Sequence, residues 1–293
     1  MSTAGELTTM RTAGELLRQW RHRRGLSQLD LALAADVSAR HVSLVETGKS
    51  RPSADMILRL ARHLDVPLRE RNGLLLAGGF APRYTERPLD DEALAAARDA
   101  VRRVLRAHEP YPAVAFDRRW NIVLFNRAVE PFLADVHPDL LRPPMNLVRL
   151  GLDPRGFAPL VVNLADVRTV FRTRVGRQLA LAPDAELTAL YEELLAPGAE
   201  GVGAQEPEGQ DRTQGPRAAS GVVIPMILRL DGQELRLFST ITTFGTPTDI
   251  TLDELAIESY YPADARSAAY FEGRGAGGAG TAEGQGPSGV PHT

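Results

Sequence analysis

The sequence predicts an all-α unit of five helices followed by an α+β unit, and three observations support this division. The first eighty residues repeatedly place Ser or Thr just ahead of an apolar run of helical period. Beyond residue 110, short β-rich runs flank turn residues and enclose two longer helical runs. The charge also changes sign. Residues 1–87 carry fourteen Lys and Arg against nine Asp and Glu, a net of +5, and the remainder twenty against twenty-eight, a net of −8, within a whole-chain charge of −3. The basic part suits phosphate-bearing partners, whereas the acidic part is better placed for ligand or subunit contacts.

Thr12 with Glu15 forms a capping-box pattern that opens a helix with Leu16, Leu17 and Trp20 on its apolar face. Ser27 opens a second helix and Ser38 a third. Ala32, Val37, Val42 and Val45 fall where two crossed helices must touch. Ser53, just after Pro52, opens a fourth with the stripe Met56, Ile57, Leu60, Ala61 and Leu64, and a fifth runs from about Pro67 to Ala77 and stops at Gly78-Gly79. Pro82 and Pro88 bracket a connector over 81–89. Asp90 or Asp91 then caps a helix to about His108, with Leu94, Val101, Val104 and Leu105 as its buried stripe.

From there the periodicity is that of strands. Val114 to Phe116 and Trp120 to Phe125, around Asp117-Arg118-Arg119, predict one hairpin; Val222 to Leu230 and Glu234 to Phe244, around Asp231-Gly232, predict another. Pro225 belongs at an edge or bulge because it cannot donate to the ladder. Ala165 to Leu179 and Ala185 to Leu195 read as helices, so the second unit is a sheet covered on one face.

The stretch from Gly25 to Pro52, GLSQLDLALAADVSARHVSLVETGKSRP, resembles the helix-turn-helix of the phage repressor and Cro (XRE) type, and the resemblance extends through residues 1–80. It implies binding to double-stranded DNA, with the helix after Ser38 in the major groove. Ala39, Arg40 and Ser43 then face base edges, Arg40 being the candidate for a bidentate contact to guanine. By the same resemblance Ser27 and Gln28 hold phosphates, Lys49, Ser50 and Arg51 grip the backbone from the loop, and Arg21 and Glu46 form an internal structural ion pair. The chain departs from the pattern at Asp36, in the turn, which tolerates the left-handed conformation. It departs also at Leu44, on the groove side, which could touch thymine methyls. Leu29 and Leu33 form an apolar pair on a normally polar face, either tolerated surface leucines or a docking face.

HEPYPAVAFDRRWNIVLFNRA, from His108 to Ala128, and NLVRLGLDPRGFAPLVVNLADV, from Asn146 to Val167, resemble the MmyB-like ligand-binding domain, a PAS-like module. Pro112, Trp120, Asn126, Asn146, Arg149, Pro154, Gly156 and Asn163 carry the likeness, which covers residues 90–265 with a Gly-, Pro-, Gln- and Glu-containing insertion at 196–220 that reads as a mobile loop. The resemblance implies a cavity between sheet and helices for a small apolar or amphipathic ligand, with fatty-acid-like ligands known in some members. The candidate lining is Phe116, Trp120, Ile122, Leu124, Phe132, Phe171, Leu237 and Phe238, residues that serve equally as core. Arg149 or Asn163 either orients a carboxylate head or satisfies local backbone.

Other function classes find little support. There is no cysteine, and the histidines never pair at metal-ligand spacing, so no metal or cofactor is expected. No apolar run reaches the roughly 18 residues of a membrane span, and the amino end lacks a signal-peptide layout. Gly273, Gly275 and Gly278 spell a dinucleotide fingerprint inside a low-complexity tail, 266–293, expected to be disordered from about 273. Asp249, Asp253, Glu254 and Glu258, ahead of Tyr260-Tyr261-Pro262, read as a capped acidic helical turn with a solvated face. The sequence thus predicts a cytoplasmic, homodimeric DNA-binding transcriptional regulator rather than an enzyme. A second unit that only dimerises or docks proteins, or a cryptic enzyme, is the alternative.

Overall fold

The computed structural model describes residues 11–198 and 225–278, so most of the 196–220 insertion, the expected strand start at Val222 and the tail beyond 278 lie outside the described residues. The chain divides into two compact units. The first comprises Met1–Ala95, Ala180–Pro183 and Phe244–Glu254; the second comprises Ala96–Leu179, Asp184–Thr243 and Leu255–Thr293.

The first unit is built on α1 (Ala13–Arg23), α2 (Gln28–Ala34), α3 (Ala39–Glu46), α4 (Ala54–His63) and α5 (Leu68–Ala77). Thr12 Oγ1 accepts the Glu15 amide at 3.2 Å while the Glu15 carboxylate accepts the Thr12 amide at 2.8 Å. Ser27 and Asp30 repeat this box ahead of α2, and Ser38 and Ser53 cap α3 and α4. Each pairing satisfies amides that a helix start leaves without partners. Asp36, at φ 51°, makes the sharp turn between α2 and α3. Leu17, Trp20, Leu31, Val42, Val45, Ile57, Leu60 and Leu75 are buried together, and burial of each large side chain contributes roughly 1.5–3 kcal/mol. α1 meets the end of α3 at Gly14, where a Cβ would lie 2.1 Å from the Val45 carbonyl oxygen.

A 3-10 turn capped by Asp91, at the end of the first unit's opening stretch, leads into α6 (Ala95–Ala107), with which the second unit begins. There follow β1 (Ala113–Phe116), β2 (Ile122–Phe125), three short helices α7 (Glu130–Leu133), α8 (Pro138–Leu141) and α9 (Leu147–Leu152), then α10 (Leu164–Leu181) and α11 (Ala185–Leu194). The chain returns as β3 (Met226–Leu230), β4 (Gln233–Thr243), α12 (Ile250–Asp253), β5 (Ala256–Pro262) and α13 (Ala265–Gly278). The five strands order as β2-β1-β5-β4-β3, every neighbouring pair antiparallel. Asp231 and Gly232, both at positive φ, close the β3–β4 hairpin as a two-residue turn.

Four features differ from the sequence reading. The acidic run ahead of Tyr260 is helical only over α12, and the residues after it form β5 at the centre of the sheet. Glu258 there is 3% exposed and paired with Arg174, so a charge occupies a core position and hides the strand's alternation. Trp120 adopts φ 67° and is not in the strand, so β2 starts at Ile122. Val104 is exposed, unlike Leu94, Val101 and Leu105. α13 occupies the start of the expected tail, because Phe271 packs with Leu235, Leu237 and Leu228.

The β4–β5 connection, Phe244–Glu254, belongs to the first unit. Asp249 accepts hydrogen bonds from Thr85 at 3.0 Å and Arg87 at 2.9 Å, and the Ile250 amide donates to the Thr85 carbonyl. Asp253 accepts the Leu68 amide at 2.9 Å, capping α5, whose own Pro67 supplies no side-chain cap. Arg69 bridges Glu254 and Glu86, which holds its pKa above the ordinary guanidinium value, mainly through the hydrogen bonds it donates to Glu254 and then to Glu86.

Candidate nucleic-acid interface and ligand cavity

The first site is the outer face of α3 and the loop after it. Arg40 is exposed on the first turn, with Ala39, Ser43 and Leu44 half-buried beside it; Lys49 and Arg51 are exposed and Ser50 half-buried in the loop. Among the described residues Arg40 and Lys49 make no ion pair, so both charges are available, whereas Arg51 reaches the Gly78 carbonyl at 3.4 Å. At the start of α2 Ser27 stays exposed, its hydroxyl accepting the Asp30 amide at 3.1 Å, while Gln28 turns inward, its Nε2 donating to Glu46 Oε2 at 2.9 Å.

Behind this face, Arg21 donates to both oxygens of Glu46 at 2.7 and 2.9 Å, and to the Leu26 carbonyl at 2.8 Å. The side chains are 7% and 2% exposed. Burial works to raise the Glu46 pKa, but hydrogen bonds from Arg21 and Gln28 and the Arg21 charge outweigh it, so the carboxyl ionises below its ordinary range. The pair ties α1 to the last residue of α3. Leu29 and Leu33 point outward from α2 at 58% and 73% exposure.

The second site is a cavity within the second unit. Its inner chamber, of about 80 Å³, is lined by residues that include Ile122, Phe132, Leu150, Phe171, Leu237 and Tyr260. An outer chamber of about 290 Å³ shares Val167, Phe171, Met226, Leu237 and Tyr260 with it and adds Arg174, Phe238, Ser239 and Glu258. Of the candidates read from sequence, Ile122, Phe132, Phe171, Leu237 and Phe238 come together here. Phe116 and Trp120 instead stack on each other at 4.8 Å in the core, and Trp120 Nε1 donates to Gln178. Leu124 lines neither chamber.

Arg149 and Asn163 are engaged elsewhere. Arg149 forms a bidentate pair with Glu193 at 2.5 and 2.7 Å. Asn163 accepts the Ile227 amide and donates to the Pro225 carbonyl, fixing β3 to the start of α10. Asn126 likewise bonds Ala113, Leu105 and Tyr111, and Asn146 caps α9. The polar residues that do face the cavity, Arg174, Ser239 and Glu258, were not among the sequence candidates. The period of a strand over 256–262 puts Glu258 and Tyr260 on one face, but the charge of Glu258 masks that strand in the sequence, and Arg174 and Ser239, on α10 and β4, carry no local signal.

A family model described as the MmyB-like transcription regulator ligand binding domain matches residues 97–272, and one described as a helix-turn-helix domain matches residues 12–74. No curated protein matches the chain. Among the described residues no helix is long and apolar enough to cross a membrane.

Proposed function

The chain belongs to the MmyB-like transcription regulator family and is a DNA-binding transcriptional regulator with a ligand-binding domain; from this premise we propose that a small apolar or amphipathic molecule in the second unit's cavity sets its affinity for an operator. The observation that carries the reading is the cavity itself, walled by aliphatic and aromatic side chains from both sheet and helices.

In this reading the first unit acts as a repressor-type reader. α3 lies in the major groove, Arg40 contacts guanine, and Ala39, Ser43 and Leu44 meet neighbouring base edges. Lys49, Ser50 and Arg51 hold phosphates, while Ser27 and Gln28 act through the α2 start they organise. The protein works in the cytoplasm as a homodimer; the exposed Leu29 and Leu33 and the common two-fold symmetry of such readers support this.

Selection of bound sites from a random duplex pool, followed by operator titration with and without ligand extracted from the purified full chain, tests the reading. Enrichment of a two-fold symmetric site, with affinity that shifts on ligand addition, is the expected result. A coupling of about 1.4 kcal/mol gives a tenfold change. Protein that carries no ligand, and whose operator affinity ignores a broad amphiphile panel, would leave the second unit as a dimerisation module.

A further inference from the structure

We propose that the cavity takes an amphiphile with an uncharged hydrogen-bonding head, a hydroxyl or an amide, its tail in the inner chamber and its head beside Arg174 and Glu258. The inference rests on the ligand-sensing reading above and adds the head-group chemistry. The inner chamber offers a tail almost no polar partner. Both charged residues of the outer chamber are paired there, Arg174 on α10 and Glu258 on β5, with Nη1 2.8 Å from Oε1. Their charges cancel, and Ser239 also donates to Glu258 Oε1.

The pair is unevenly placed. The Arg174 side chain is 31% exposed and Glu258 3%, so the guanidinium keeps donors for a ligand while the carboxylate is held behind it. Glu258 Oε2 is buried with no close hydrogen-bond partner among the described residues, and the Tyr260 phenol beside it also bonds Glu258, so the carboxylate is held in the chamber wall and the guanidinium is the group that meets the head. Burial, and then the neighbouring Glu258 charge, push the Tyr260 phenol well above its usual pKa, and the ring adds no second negative charge. A carboxylate head would set an anion beside Glu258 and an ammonium a cation beside Arg174, each giving up hydration in a site already neutral. A hydroxyl or amide brings no net charge and accepts from the exposed guanidinium.

The test is calorimetric titration of the full chain at neutral pH with three probes of one tail length: decan-1-ol, decanoate and decylammonium. Decan-1-ol is expected to bind with one-to-one stoichiometry and about tenfold or more tighter than either ion. Decanoate or decylammonium binding as tightly as the alcohol overturns the head-group inference and leaves the sensor reading standing. Binding of none of the three overturns both. Glu258→Gln leaves Arg174 unbalanced, so decanoate should gain about tenfold relative to decan-1-ol; an unchanged ranking in folded variant protein places the head elsewhere and overturns the inference. Should that variant not fold, the wild-type ranking decides alone.

Discussion

Glu46 does two jobs with one carboxylate, accepting both the Arg21 fork and the Gln28 amide at the end of α3. Glu46→Ala leaves Arg21 buried without a counter-charge, and breaking such a pair costs roughly 3–5 kcal/mol. Denaturant melts of the full chain should show this as an early transition of the first unit, with DNA affinity falling in parallel; an unshifted transition would make the pair dispensable. The folded-state pKa lies below the carboxyl's ordinary 4.5. The stabilisation is therefore complete above that value and is lost as pH falls through the folded pKa. Accordingly, the gap between wild type and Glu46→Gln should be full at neutral pH and close in acid. Arg40 and Lys49, by contrast, are exposed and make no ion pair among the described residues. Arg40→Ala should cost roughly 1–3 kcal/mol on the selected site and little on random duplex, whereas Lys49→Ala should weaken both and lower the salt slope by about one. Equal losses on both duplexes for Arg40→Ala would move that residue to a phosphate role.

At the scale of elements, the helices of the first unit were legible because their start signals are local: Thr12, Ser27, Ser38 and Ser53 each cap the run that follows them. β5 was not legible, since one of its two neighbours, β1, lies more than a hundred residues away and its Glu258 is neutralised by Arg174 from α10. The same reason hid the polar side of the cavity, while its aromatic side, Phe132, Phe171 and Phe238, could be read from residue type. Arg149 and Asn163 carry the family likeness yet serve Glu193 and β3, so a motif residue in a ligand-binding domain need not touch ligand. Gly14 shows the converse, a functional constraint with no motif. Gly14→Ala gains helix propensity on α1, but its methyl would collide with the Val45 backbone and push α1 off the end of α3. The collision outweighs the propensity gain of about 1 kcal/mol. The variant should melt earlier and bind the operator more weakly, and a raised melting temperature would show that α1 can shift freely.

At the scale of the whole molecule, the first unit is not a continuous stretch of chain. A boundary at residue 80 follows the helical periodicity, but Thr85, Glu86 and Arg87 are tied to Asp249, Arg69 and Thr251, and Phe244–Glu254 is bonded to α5 though it connects β4 to β5 in sequence. The consequence is clearest at the start of α5. Pro67 has no side chain with which to cap it, and the Leu68 amide is satisfied by Asp253, 185 residues away. A fragment of residues 1–95 lacks that acceptor, so its α5 should fray from the first turn. Amide hydrogen exchange reports this directly: Leu68 should exchange faster in the fragment and in full-length Asp253→Ala than in the wild-type chain, by the amount that loss of a cap of about 0.5–2 kcal/mol implies. Amides of α2 and α3 in the full-length variant should keep their protection, because their caps are local. If Leu68 is equally protected in the fragment, the β4–β5 connection contributes nothing to α5, and the first unit ends where its sequence periodicity does.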